Sequence, residues 1–301
     1  MPSIRPVLRA LLVAAGWLVA AIPLPAAAAA PPPLEATPAA LARAMGGHRV
    51  VVLGEVHDNG VQHRLRYDAL AALVAGGARP AIAFEQFDRD RQSDIDRARR
   101  ERPADADYLI AQAAGRGDWQ WEFYRPFVQL ALDHKLPIVA ANLSRADATR
   151  VAREGWPAVF DPAVRKSLGL DDLPEAFRRS HEQAIAAGHC GLLPASALPA
   201  MARAQIARDI VFAQAMQPHA ARGVVLLAGN GHARNDVGVP HWLDAGLRSD
   251  SVSIALLERE DDGATPELAE TVDAWVLTPR AVREDPCKDL AQKMPAAKAA
   301  P

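Results

Sequence analysis

Six short apolar runs, separated by segments long enough to be helices, constrain this chain more than any other feature. They fall at 49–53 (RVVVL), 81–84 (AIAF), 137–141 (PIVAA), 223–228 (GVVLLA), 251–257 (SVSIALL) and 272–277 (VDAWVL). Most are nearly continuous in apolar character rather than alternating, which is how strands read when helices cover both faces of a mostly parallel sheet. Between the first two runs, VQHRLRYDALAALVAGG sets Val61, Leu65, Ala69 and Leu73 along one helical face and stops at Gly76-Gly77. Strand, helix and strand within about 35 residues make a βαβ unit. The predicted class is α/β, a mostly parallel central sheet with helices on both faces. Helical insertions at about 88–134 and 157–217 are candidates for a lid, the second containing a Pro-spaced excursion through HCGLLP.

The ends of four runs carry the chemistry. GEVHDN follows the first, AFEQFD closes the second, AANLSR the third and AGNGHARND the fourth. If the strands are parallel these ends share one edge, the carboxyl edge, where ligands bind in open α/β sheets. Glu55, His57, Glu85, Asn142, Arg145, Asn230 and His232 would then converge from distant parts of the chain. An unpaired carboxylate directly after a buried strand is costly, so Glu85 needs a partner. Asp58 reads as a helix N-cap, His63 as an edge or exposed residue and His189 as structural.

His57, Glu85 and His232, with Glu55 beside them, are ligand types for a divalent metal or groups for acid/base work on a bound water. HExxH, G-x-S-x-G, P-loop and CxxCH signatures are all absent. The aromatic run WQWEFYRPF, with Trp119, Trp121, Phe123 and Tyr124, reads either as packing for the first insertion or as an apolar wall for a flat ring.

The first 30 residues stand apart. Arg5 and Arg9 precede an apolar run from Ala10 to Leu24, and AAAAA closes the segment before PPP. A positive start, an apolar stretch of about 15 residues and small residues at the end form a secretory signal peptide, too short for a membrane span. Residues 31–301 then form a single domain with its core at about 45–280, expected in the periplasm or outside the cell, with no stable membrane span. No lipobox cysteine lies near the cleavage point. Without Arg5 and Arg9 the 34 basic side chains fall to 32, against 36 acidic ones, which argues against a nucleic-acid partner. The two cysteines, Cys190 and Cys287, both lie in the exported part, and an even count there favours a disulfide over a free thiol.

These motifs together resemble the ChaN-like family of haem-binding, iron-regulated exported proteins. The resemblance rests on LGEVHDN followed by His63, AFEQF, WEFYRPF then LPIVAANLSR, HCGLLP, AQIARD and GNGHARNDVGVPHWL, from about Arg49 to Leu243, with DPC near the C-terminus. It implies non-covalent haem in a surface pocket, often at a homodimer interface, and a role in haem or iron uptake. The wider superfamily, with erythromycin-esterase-like and Tiki-type hydrolases, implies instead a metal-dependent or Glu/His-dependent hydrolase built on Glu55, His57, Glu85 and His232. For haem, the residues to consider are Tyr67, Tyr124, His63, Asn142 and Arg145, since tyrosine and histidine are common iron ligands.

Overall fold

The computed structural model describes residues 30–293 apart from Arg116, so the signal-peptide segment lies outside the described residues. Six strands form one sheet: β1 (Val50–Leu53), β2 (Ala81–Asp88), β3 (Ile138–Asn142), β4 (Val224–Leu227), β5 (Ser251–Glu258) and β6 (Ala274–Thr278). Every pairing is parallel and the spatial order is β3-β2-β4-β1-β5-β6. All six correspond to the apolar runs of the sequence.

The helices are α1 (Pro38–Met45), α2 (Gly60–Ala75), α3 (Gln92–Glu101), α4 (Ala106–Ala113), α5 (Trp121–Asp133), α6 (Arg145–Glu154), α7 (Pro162–Leu168), α8 (Glu175–Gly188), α9 (Leu198–Met216), α10 (Ala245–Arg248) and α11 (Pro286–Lys293). Successive strand residues point to opposite faces. Val51 and Leu53 accordingly join Ile82, Phe84 and Leu227 under the side covered by α1 to α5. Val50 and Val52 join Ala83 and Leu226 with Phe212 and Met216 of α9 on the other. A satellite cluster, including Leu143, Val151, Phe160 and Ile210, packs α6 and the following segment onto α9.

The apolar face of α2 is the expected one at Leu65 and Ala69 and turns away from Val61 at its start. Val61 is 53 % exposed, while Leu65, Arg66, Ala69, Leu70 and Val74 are buried. A strict four-residue row drifts around a helix of 3.6 residues per turn, so the row from Val61 to Leu73 cannot stay on one contact line. The N-cap is Asn59 rather than Asp58: its Oδ1 accepts from Val61 N and Gln62 N, while Asp58 accepts from Arg283. The excursion through the second insertion holds a 14-residue helix, α8, longer than the short element its prolines suggest.

The outer edge of β3 is closed by a side chain. Gln92 Nε2 donates to Ile138 O at 3.1 Å, and Ala140 N donates to Gln92 Oε1 at 2.8 Å, so one amide takes the place of a neighbouring strand.

Candidate functional site at the carboxyl edge

The order β2-β4-β1 makes three chemistry-bearing strand ends neighbours. Leu53 of β1 and Phe84 of β2 both pair with Leu227 of β4, so Gly54, Glu85 and Ala228 begin the edge side by side. Two glycines let the flanking loops meet. A Cβ on Gly54 would lie 2.4 Å from Asn230 Oδ1, and one on Gly229 would lie 2.9 Å from His57 Cε1. The glycines in LGEVH and AGNGH are therefore there for close approach.

Glu55 is the hub of one half of the site. Its Oε1 accepts from the Tyr124 hydroxyl at 2.5 Å and lies 3.0 Å from His57 Nδ1. Its Oε2 is paired with Arg66 and lies 3.1 Å from His63 Nδ1. Burial lowers the Arg66 guanidinium to about 10, so it remains charged at neutral pH and neutralises the carboxylate. His63 is buried rather than exposed, and burial pushes it down to about 4. Its ring donates from Nε2 to His57 O at 2.9 Å and stacks on Phe123 at 4.5 Å. The hydroxyl of Tyr124 is pushed upward by burial.

Glu85 organises the other half. Oε2 accepts from Gly229 N at 2.8 Å, and Oε1 lies 3.4 Å from His232 Nε2. The other nitrogen of His232, Nδ1, donates to Asp209 Oδ1 at 2.5 Å. Burial opposes charge on all three groups. At His232 it is outweighed by Asp209 and Glu85, which push the imidazole up to about 10. Burial also acts to raise Glu85, but His232 overcomes it and draws the carboxyl down to about 2. Asp209 rises to about 6 because burial prevails there. The result is an imidazolium clamped between two carboxyl groups.

Both ring nitrogens of His232 face carboxylates, Asp209 at 2.5 Å and Glu85 at 3.4 Å, and nothing in this arrangement supports the divalent-metal reading of His57, Glu85 and His232. Among the described residues, no group of three or more His, Cys, Asp or Glu side chains is arranged to hold a metal ion.

Asn142 does not enter the cavity. It donates to Glu85 O at 2.8 Å and accepts from Arg208 Nη1 at 2.6 Å, fixing the end of β2 from behind. Arg145 is exposed in the first turn of α6 and does not line the cavity; Arg234 is the arginine among its lining residues, while Arg208 of α9 donates to Asn142 and Leu143 O behind it. Tyr124 is fully buried with its hydroxyl engaged, which removes it as a ligand to any outside group. Tyr67 is half-buried on α2, away from this site, with its ring edge-on to Phe127.

Above the two carboxylate clusters lies a cavity of about 850 Å³. Glu55, His57, Glu85 and His232 form its polar floor, while Ala184, Ile185 and His189 of α8 and its exit roof it. His57 is the open member of the floor, its side chain 47 % exposed, with Trp119 edge-on at 5.0 Å. His189 Nδ1 donates to Ile185 O at 2.8 Å, a local contact in keeping with a structural role. The expected disulfide is present between Cys190 and Cys287. Arg66, Asp209, Arg208 and His181 were not singled out from sequence. For Arg66, the signal was its place on the same helical stripe as Gln62, Ala69 and Leu70.

No membrane-crossing helix occurs: among the described residues none is long and apolar enough. No curated protein matches the chain. Among solved structures, ChaN of Campylobacter jejuni, described as binding haem cofacially, shares the fold at a TM-score of 0.60 and 22 % identity, over 76 % of this chain and 87 % of that one. The type III effector HopBA1 aligns at a TM-score of 0.47 and 12 % identity, over 86 % of this chain and 100 % of that one. The erythromycin esterase EreC aligns at 0.43 and 15 %, over 72 % of each chain. The family described as haem-binding uptake, Tiki superfamily, ChaN matches residues 41–243, and the chain belongs to that family.

Proposed function

We propose that the protein binds ferric haem on an open groove between α2 and α5, with Tyr67 as the iron ligand, and serves haem handling outside the cytoplasm. One observation carries the choice of residue. Of the three tyrosines, Tyr124 donates to Glu55 and Tyr108 to Glu101, whereas the Tyr67 hydroxyl has no hydrogen-bond partner among the described residues. The groove, about 360 Å³, is lined by Gly60, His63, Arg64, Tyr67, Phe123 and Pro126, with Glu122 at its side.

The residues present fit the group. Haem, when bound, supplies an iron that takes an axial oxygen or nitrogen donor. Tyr67 offers a phenol oxygen, and Phe123 and Pro126 offer an apolar wall for the macrocycle. The guanidinium of Arg64 lies 6.0 Å from the Tyr67 ring and is exposed enough to meet a propionate. His63 is held by its hydrogen bond to His57 O and acts as a fixed support behind Phe123.

A shallow groove covers one face of a flat ligand and leaves the other bare. A second copy carrying its own haem would cover that face, and the Campylobacter jejuni protein, described as binding haem cofacially, supports this arrangement. Sedimentation of the mature protein with and without haemin tests it. The expected result is one haem per chain and a shift from monomer to dimer; saturated haem on a chain that stays monomeric would remove the paired arrangement. Export is supported by the Arg5/Arg9, apolar and poly-alanine pattern of the first 30 residues. N-terminal sequencing of the protein made in a bacterial host should begin near Ala30; an intact Met1 would contradict it.

A second reading is favoured by the clamp itself. A buried Asp209–His232–Glu85 array under a roofed cavity suits proton transfer to a bound ester, as in a Glu/His-dependent hydrolase, with His57 as its solvent-facing member. Glu85, held down to about 2, is a weak base, and His57 is the side chain of the floor that is open to solvent and to a ligand.

A further inference from the structure

The helix that roofs the cavity is held in an unusual way. Only one of the 14 residues of α8, His181, is buried. No side chain of α8 makes a hydrogen bond or ion pair to any other element among the described residues; those it forms, such as Arg178 with Glu175 and Ser180 with Ala176, stay within the helix. The helix lies against α9, and its start is docked by aromatic contacts, Phe177 lying 4.5 Å from His241 and 5.7 Å from Trp242.

The far end of α8 is fastened covalently. The helix ends at Gly188, and two residues later Cys190 is joined to Cys287. Cys190 and Gly191 both have left-handed backbones, φ 56° and 67°, so the chain leaves the roof through a sharp reversal. Cys287 belongs to a C-terminal strap that crosses the carboxyl edge. In that strap Pro279 O accepts from Asn59 Nδ2 at 3.0 Å, Ala281 N donates to Glu258 Oε1 at 2.8 Å, and Arg283 pairs with Asp58 and Glu258. Asp58 and Asn59 are the residues that follow the His57 loop of the cavity floor. The disulfide thus ties the roof of the cavity to a strap seated on its floor.

We propose that the Cys190–Cys287 disulfide is a redox clasp that keeps α8 closed over the strand-end cavity, and that a dithiol reductant opens it. Cys287 is exposed and Cys190 half-buried, so attack falls on the Cys287 sulfur. A thiolate of the dithiol bonds to that sulfur and displaces the Cys190 thiolate, which takes up a proton. The second thiol of the reagent then attacks the mixed disulfide, releasing Cys287 as a thiol and leaving the reagent as its own disulfide. Two electrons and two protons pass to the protein. What remains to hold α8 is its packing on α9, in which only His181 is buried, and the aromatic contacts at its start, so the helix frays from its C-terminal end and the His57–His232 floor is uncovered.

The proposal goes beyond the haem reading and is tested without haem. Hydrogen–deuterium exchange is measured on the folded full-length mature protein before and after dithiothreitol, and again after reoxidation. Reduction should speed exchange across 175–188 by about tenfold more than across β1, β2 and β4, with reoxidation restoring protection. A Cys190→Ser/Cys287→Ser variant, kept oxidised, should behave as the reduced protein does. Unchanged protection of α8 on reduction would overturn the clasp, as would an equal acceleration of helix and strands, which would make the disulfide a staple of the whole fold. Loosening of 279–293 alone would overturn it too.

Discussion

Arg66 and Glu55 form the most heavily buried charge pair of the site, both side chains fully shielded from solvent. Replacing Arg66 by Leu strands the carboxylate without its counter-charge, and such a loss costs about 3–5 kcal/mol. Urea denaturation should show that drop for Arg66→Leu and recover much of it in the Glu55→Gln/Arg66→Leu double variant. A neutral single variant would mean that Tyr124 and His57 satisfy Glu55 alone. The clamp around His232 makes a second prediction. Glu85, depressed from its ordinary 4.5 to about 2, stabilises the fold above pH 4.5 and loses that contribution as pH falls through 2. His232, raised from 6.5 to about 10, contributes fully below pH 6.5 and ceases to as pH rises through 10. Asp209, raised to about 6, works the other way: its cost to the fold grows between about pH 4 and 6 and stays above that. Thermal melts across pH should therefore show Glu85→Gln removing stability at neutral pH and much less above pH 10. Glu55, His57, Glu85 and His232 were legible because each follows a buried run directly, where a polar side chain has nowhere to go but the sheet edge. Asp209 and Arg66 were not, because on α9 and α2 an isolated charge reads as part of a solvated face until the neighbours that bury it are known.

Among the elements, the strands were the plainest part of the sequence, since parallel strands buried on both faces leave short, nearly continuous apolar runs. Helix faces were less plain: of the row from Val61 to Leu73 on α2, packing buried Leu65 and Ala69 and left Val61 exposed, since each four-residue step turns about 40° beyond a full turn. The role of Gln92 had no local signal, because its partners lie 46 and 48 residues away on β3. Gln92→Ala should cost about 1 kcal/mol for the hydrogen bonds lost and leave an open strand edge that promotes self-association. Light scattering and a melt on the purified variant would check both; a monodisperse variant of unchanged stability would show that the edge needs no cover.

At the scale of the molecule, the order of the strands decides what the site is. With β4 inserted between β2 and β1, the loops carrying Glu85, His232 and Glu55 become neighbours, while Asn142, one strand further out, reaches only the backbone of Glu85. That order cannot be read from periodicity, which is why Asn142 and Arg145 were expected in the cavity and are not there. It also separates two surfaces on either side of the His57–His63 segment: the roofed cavity on one, the open α2–α5 groove with Tyr67 on the other. The haem reading depends on the second surface. Haemin titration of wild type and Tyr67→Phe, read at the Soret band, tests it most directly. Saturable binding by wild type, with the band shifted and affinity lowered at least about tenfold in the variant, is what the account predicts. An identical spectrum and affinity in the variant would contradict it.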